Sequence, residues 1–236
     1  MKLSDRLYAI ATFVPKGGRV ADIGTDHGYL PVWLMKNGAA KCVTATDIRE
    51  EPLKRAMSAA LMAGETGIAF MRSDGLKELR AEDYDTLVIA GMGGETITKI
   101  ISESGWDWAD SHRLVLQPMS KIPELIEYLY ENSFFIIDEK LVRDKNAFYR
   151  VLLAGRGKYE MPDLIYRHIG QALINRRDPL LIPYLSELIS KTEKALAGIQ
   201  NSKDICKEKQ NALNNLLHGF LAMKERLSDG KTERNQ

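Results

Sequence analysis

Val20-Ala21-Asp22-Ile23-Gly24-Thr25-Asp26-His27-Gly28-Tyr29-Leu30-Pro31 is the stretch whose reading settles the architecture. RVADIG at 19–24 reads as a buried strand, Gly24 and Gly28 as a turn, and a helix begins near Leu30. Glycine takes positive φ without steric cost and lets a ligand approach the backbone closely. A strand feeding a helix through such a turn is one βα unit, and the first 155 residues repeat the alternation. Further strands are expected at KCVTATD (41–47), GIAFMRSD (67–74), DTLVIAG (85–91) and RLVLQP (113–118). This pattern predicts an α/β fold, a parallel or mixed sheet covered by helices. FFIIDEKLV (134–142) and AFYRVLLAG (147–155) are separated only by Arg143 to Asn146. A parallel crossover needs a dozen or more residues, so this last pair must be an antiparallel hairpin. Ahead of the first strand, Leu3, Leu7, Ile10 and Val14 recur at helical spacing with Ser4 placed to cap the helix.

At 236 residues the chain has room for one such domain and a smaller attachment. Hydrophobic residues at 44% and charged residues at 28% fit an ordinary globular protein and exclude wholesale disorder. The longest apolar runs, such as LVIAGM at 87–92, are too short to cross a bilayer, and MKLSDRLYAI has no signal-peptide pattern. The expectation is a cytoplasmic protein without membrane contact. Cys42 and Cys206 are too far apart in sequence to suggest a disulfide framework or thiolate cluster, so no metal is expected. A net charge of +1 gives no global signature of nucleic-acid binding.

The expected boundary falls between residues 158 and 159. Beyond it, Ile182, Leu185, Ile189, Thr192, Leu196 and Ile199 alternate spacings of three and four. Cys206, Lys209, Leu213, Leu216, Phe220, Met223 and Leu227 repeat the pattern after a break at Gln200-Asn201-Ser202. These seams predict an antiparallel coiled coil over 159–236. Two ordinary amphipathic helices packed on the main domain are the alternative. Residues 229–236 are polar and expected to fray.

Chemistry concentrates where the strands end. The turn spacing is G-x3-G, whereas a dinucleotide fingerprint is G-x-G-x-x-G, and Asp26 stands where its second glycine would be. A carboxylate there would repel a pyrophosphate and suit a sulfonium or ammonium group, which favours S-adenosylmethionine over NAD. Asp47 ends the next strand at a separation suited to ribose hydroxyls, and Asp74, in Ser73-Asp74-Gly75, follows the third. Each acid alone is as readily a cap or turn residue. Three of them after three successive strands converge on one crevice, because open α/β sheets bind ligands at the strands' carboxyl ends. Ala90-Gly91-Met92-Gly93-Gly94 is richer in glycine than a plain strand-to-helix connection needs, and its backbone could line the space between donor and acceptor. Gln117 ends the fifth strand, either satisfying backbone groups or touching the acceptor.

VADIGTDHGYLP, TD at 46–47, SDG at 73–75, AGMGG at 90–94 and LQP at 116–118, in that order, resemble the bacterial tRNA (adenine-22-N1)-methyltransferase family. LSDRL at 3–7 and FYRVLL at 148–153 extend the resemblance over nearly the whole chain. It implies a Rossmann-like class I methyltransferase sheet of seven strands, S-adenosylmethionine as cofactor and tRNA as partner, with a monomer expected. Carried over by position, Asp22, Gly24, Asp26, His27 and Gly28 would surround the methionine part of the cofactor. Asp47 and Ile48 would hold the ribose, Asp74 and Gly75 the adenine, and Gly91 and Met92 the sulfonium side. AGMGG stands where amino-directed adenine methyltransferases carry Asp/Asn-Pro-Pro-aromatic, which favours a ring nitrogen as acceptor.

Asp26, Tyr29 and Gln117 are the candidate catalytic residues. Asp26 first, then a backbone carbonyl of AGMGG, then Gln117 would accept from the adenine amino group, and Tyr29 would stack on the base or pack beneath the helix. His27 is as readily a packing residue as an acid or base. A methyltransferase acting on another RNA or a small molecule would share the cofactor half. A non-catalytic RNA-binding scaffold would have no reason to keep the three acids, and a nucleotide-dependent oxidoreductase is opposed by Asp26.

Overall fold

The computed structural model describes residues 2–200 and 207–232. The chain divides into two compact units, Met1–Met161 and Pro162–Gln236. In the first, α1 (Asp5–Ala11) leads to β1 (Gly18–Ile23), α2 (Tyr29–Lys36), β2 (Ala40–Asp47), α3 (Glu50–Ala63) and β3 (Ile68–Arg72). There follow β4 (Thr86–Met92), α4 (Gly94–Ser102), β5 (Arg113–Pro118), α5 (Ile122–Glu131), β6 (Phe134–Asp144) and β7 (Ala147–Arg156). Each strand lies within two residues of its expected bounds. Ser4 caps α1 as its position predicts, its hydroxyl accepting from the Leu7 amide at 3.4 Å.

The strands form one sheet in the order β3-β2-β1-β4-β5-β7-β6. β1 to β5 are mutually parallel, whereas β7 runs antiparallel to both β5 and β6. The sheet is therefore mixed, with the expected hairpin at its end, closed by Lys145 and Asn146. Arg150 and Glu139 form an ion pair buried on this hairpin. Val20, Val88 and Val115 point into one core layer with Ile10, Leu34 and Val43. Ala21, Leu87 and Leu114 point into the other with Ile97, Leu125 and Leu129. Neighbouring residues of one strand thus serve opposite faces, as strand geometry requires, and helices cover both.

The chain order of this sheet reverses between β1 and β4. Helices leave β1 and β4 toward opposite faces, so a crevice opens beyond their carboxyl ends. Everything that follows in the first unit is built there.

The second unit begins with two short helices, α6 (Leu164–Ile169) and α7 (Gln171–Asn175), before α8 (Leu181–Gln200) and α9 (Lys207–Thr232). Asp178 lies ahead of α8, its side chain accepting from the Leu180 amide at 3.0 Å. α8 and α9 pack on each other. Leu185, Ile189, Thr192 and Leu196 of the expected seam are buried on α8, as are Phe220 and Met223 on α9. Lys209 departs from the expectation and is exposed, since a lysine at a seam position carries its ammonium to water. The break at Gln200-Asn201-Ser202 and Cys206 fall at or beyond the edge of the described residues, as do the side chains of the terminal stretch from Gly230.

Candidate active site

Two adjoining cavities occupy the crevice. The larger, about 630 Å3, is bounded by Asp22, Thr25, Asp26, His27 and Tyr29 from the β1–α2 segment and by Arg6, Ala90 and Gly91. The smaller, about 310 Å3, lies over the ends of β2 and β3 against α4, with Ile48, Asp74, Gly75 and Ile100 in its wall. Gly24, Asp47, Arg49 and Met92 line both. Gly24 has φ +78 in a turn whose Gly24 and Thr25 amides both donate to Thr46 O at 2.8 Å. A side chain there would collide with Met92 Cε, so glycine keeps the junction of the two cavities open.

The acids occupy three different environments. Asp22 is 5% exposed, and burial pushes its pKa up to about 6, with the nearby Asp47 charge adding to the rise and Thr25 opposing it. Asp47 is also buried, and its Oδ1 accepts from the Arg49 amide at 2.9 Å. Asp74 is exposed and paired with Lys77, which holds its carboxyl below the usual range. Lys77 in turn lies 3.7 Å from Glu103, the residue that follows α4.

Asp26 differs from its expectation. It adopts φ +47, and its exposed carboxylate pairs with Arg55 of α3 at 2.8 Å and lies 3.3 Å from His27 Nε2. The premise of a bare negative charge in the turn therefore does not hold, because a cation from the next helix meets it. His27 also stacks on Tyr29, with ring centroids 5.4 Å apart and planes 13° from parallel. Asp26, His27 and Tyr29 thus form one linked group at the mouth of the larger cavity.

Two expected residues stand outside the cavities. Gly28 is buried at the start of α2, where an added Cβ would lie 2.8 Å from Ala56 Cα. Its missing side chain lets α2 approach α3, not a ligand approach the backbone. Gln117 is fully buried. Its Oε1 accepts from Arg6 Nη1 at 2.7 Å and its Nε2 donates to Pro118 O at 3.0 Å. Both polar ends are engaged within the protein, so Gln117 anchors Arg6 and does not itself face the cavity. Sequence reasoning missed Arg6, Arg49 and Arg55, and only Arg6 carried a signal, through its place in LSDRL. Among the described residues no group of three or more His, Cys, Asp and Glu side chains could hold a metal ion. No helix among them is long and apolar enough to cross a membrane.

Five parallel strands followed by an antiparallel β7 inserted beside β5, with carboxylates and a glycine turn at the strand ends, define a Rossmann-like methyltransferase. The chain belongs to the methyltransferase-domain family, whose pattern it matches over residues 3–152. It is similar to the tRNA (adenine(22)-N(1))-methyltransferase of Bacillus subtilis strain 168, with 28% identity over 239 residues, 98% of this chain and 99% of that protein. A putative tRNA methyltransferase of Mycoplasma genitalium is 32% identical over 182 residues, 75% of this chain and 79% of that one. Among solved structures, Streptococcus pneumoniae Sp1610 is described as a putative tRNA (m1A22) methyltransferase in complex with S-adenosyl-L-methionine. It matches with a TM-score of 0.83 at 26% identity, covering 94% of this chain and 100% of that one.

Proposed function

We propose that the protein transfers the methyl group of S-adenosylmethionine to N1 of adenine 22 in tRNA. Similarity to the Bacillus subtilis enzyme along the whole of both chains carries this reading. The crevice fits the cofactor. Asp47 Oδ1 takes the Arg49 amide, which leaves Oδ2 to accept from ribose hydroxyls. Ile48, Asp74 and Gly75 would hold the adenine end in the smaller cavity, and Asp22, Gly24, Asp26 and His27 the methionine end in the larger. Gly91 and Met92 would flank the sulfonium between them.

The bound cofactor supplies a methyl group made electrophilic by the sulfonium. Adenine N1 carries an in-plane lone pair, so no residue need remove a proton before attack, and no metal-activated nucleophile is required. The chain's own task is to align the base with the methyl group and to offset the positive charge that develops on the ring. Asp26 and the backbone carbonyls of the 90–94 turn are the groups to accept from the adenine amino group. Tyr29, backed by His27, presents a ring face to the base. Since N1 lies on the Watson–Crick edge, a paired target must be opened or flipped before it enters.

In this reading residues 1–158 form the catalytic domain. Residues 159–236, with α8 and α9 as an antiparallel coiled coil, hold the RNA, and the enzyme works as a cytoplasmic monomer. The test is transfer of labelled methyl to unmodified tRNA, followed by nucleoside identification. The expected product is 1-methyladenosine, absent when position 22 carries guanosine. Methylation of another nucleoside, or none in any tRNA, would overturn the assignment.

A further inference from the structure

The cations around the crevice are mostly neutralised. Arg49 lies 3.8 Å from Asp47, Arg55 is paired with Asp26, Lys77 with Asp74 and Lys99 with Glu103. Arg6 is different. Among the described residues no carboxylate forms an ion pair with its guanidinium. The group is held instead by neutral partners: the buried Gln117 amide oxygen at 2.7 Å, and the Tyr149 ring, whose centroid is 5.6 Å from Cζ. Gly91 lies beside it, a Cβ at that position falling at van der Waals distance, 3.4 Å, from Nη1. Arg6 is half-buried and lines the larger cavity near the ends of β4 and β5.

A guanidinium has five donors in a rigid fork, and Gln117 engages one of its nitrogens. The remaining donors require an anion or water. Contact with the adenine ring is disfavoured, because that ring becomes positively charged as N1 is methylated and a bare cation beside it would raise the barrier. A phosphate beside the target base satisfies both conditions. It matches the planar fork in two-point fashion, and it neutralises Arg6 before the ring acquires its charge.

Resting on the RNA substrate assigned above, we propose that Arg6, fixed by Gln117 and Tyr149, binds a backbone phosphate flanking the target adenosine. It thereby sets how deeply the base enters the cavity. The cofactor's carboxylate is the rival anion, and the test separates the two.

The full chain and its Arg6→Gln and Arg6→Lys variants are compared for S-adenosylmethionine affinity by calorimetry and for tRNA affinity at several salt concentrations. Arg6→Gln is expected to keep cofactor affinity within about twofold and to lose tRNA affinity about tenfold at low salt. Each phosphate contact contributes about 0.7–0.9 to the slope of log affinity against log salt, so that slope should shrink by about this amount. Arg6→Lys keeps the charge and should retain the wild-type slope, with a smaller affinity loss from the missing fork. Its slope also serves as the test should the glutamine variant fold poorly, because a lysine slope reduced like a neutral residue's counts against a phosphate contact. Unchanged tRNA affinity and slope in Arg6→Gln would overturn the proposal, as would loss of cofactor affinity alone. Those results, on a tRNA that the wild-type protein methylates, refute only the role of Arg6. A wild-type protein that neither binds nor methylates tRNA refutes the assigned function and this inference with it.

Discussion

Arg6 Nη1 donates to Gln117 Oε1 at 2.7 Å, tying the first helix of the chain to the end of β5 across 111 positions. The amide is fully buried and the guanidinium reaches the cavity, so a core residue sets the direction of a site residue. Gln117→Leu removes this acceptor and leaves Pro118 O without its donor. A hydrogen bond to a charged group contributes about 1.5–3 kcal/mol, and urea denaturation should record a loss of that order. The KM for tRNA should rise more than kcat falls, with cofactor affinity unchanged. A wild-type KM would mean that Arg6 keeps its place without the amide.

Asp47 is the carboxylate best placed at the junction of the two cavities. Removing it in Asp47→Ala should weaken S-adenosylmethionine about 10- to 100-fold, or about 1.4–2.7 kcal/mol, the range of one hydrogen bond to a charged group. Calorimetry on the folded variant measures this directly, and an affinity equal to wild type would reject the ribose assignment.

The raised pKa of Asp22 predicts how stability depends on pH. Its folded-state value of about 6 lies above the ordinary 3.8, so the folded protein holds this proton more tightly than the unfolded chain does. Stability is therefore highest, as far as this group is concerned, below pH 3.8, declines between about pH 4 and 6, and is level above that. The difference corresponds to a penalty on the order of 3 kcal/mol at neutral pH. Asp22→Asn removes the titration. Without cofactor it should be more stable than wild type at pH 8, with the advantage fading toward pH 4. Denaturation curves at several pH values provide the check, and a constant difference across that range would show that Asp22 is not the titrating group.

Asp26 and Arg55 are both exposed, and an ion pair of that kind contributes at most about 1 kcal/mol to stability. Arg55→Ala and Asp26→Asn should accordingly unfold close to the wild-type temperature, the more so because asparagine tolerates the positive φ at position 26. Their effect is expected in the chemical step, through the Asp26–His27–Tyr29 group. Single-turnover rates at saturating cofactor and tRNA should fall more than cofactor affinity does. Equal losses in the two quantities would confine Asp26 to cofactor binding.

Much of this molecule was legible in contiguous residues. RVADIG followed by a glycine turn predicts a strand entering a helix, because pleating, helical period and the sterics of positive φ act over a few neighbouring positions. The four residues between the last two strands settled an antiparallel pairing, since no crossover fits in that length. The parallel sheet then brought Asp22, Asp47 and Asp74 to one edge, as strand polarity alone requires. The seam of α8 was readable for the same reason: Leu185, Ile189, Thr192 and Leu196 repeat with the period of the helix that buries them.

What the tertiary structure alone decided are the pairings between distant segments. The insertion of β7 between β5 and β6 depends on which sheet edge the hairpin can cover. Arg55 reaches Asp26 from the following helix and alters the charge that the turn presents. Gln117, at a strand end like the acids, became a buried anchor because α1 lies over β5 and brings Arg6 to it. Gly28 became a packing contact because α3 passes beside it. Local sequence could assign the type of each side chain and the element that bears it. It could not assign its partner, because electrostatic and packing contacts depend on distance through space, and that distance exists only after the sheet and helices have closed on one another.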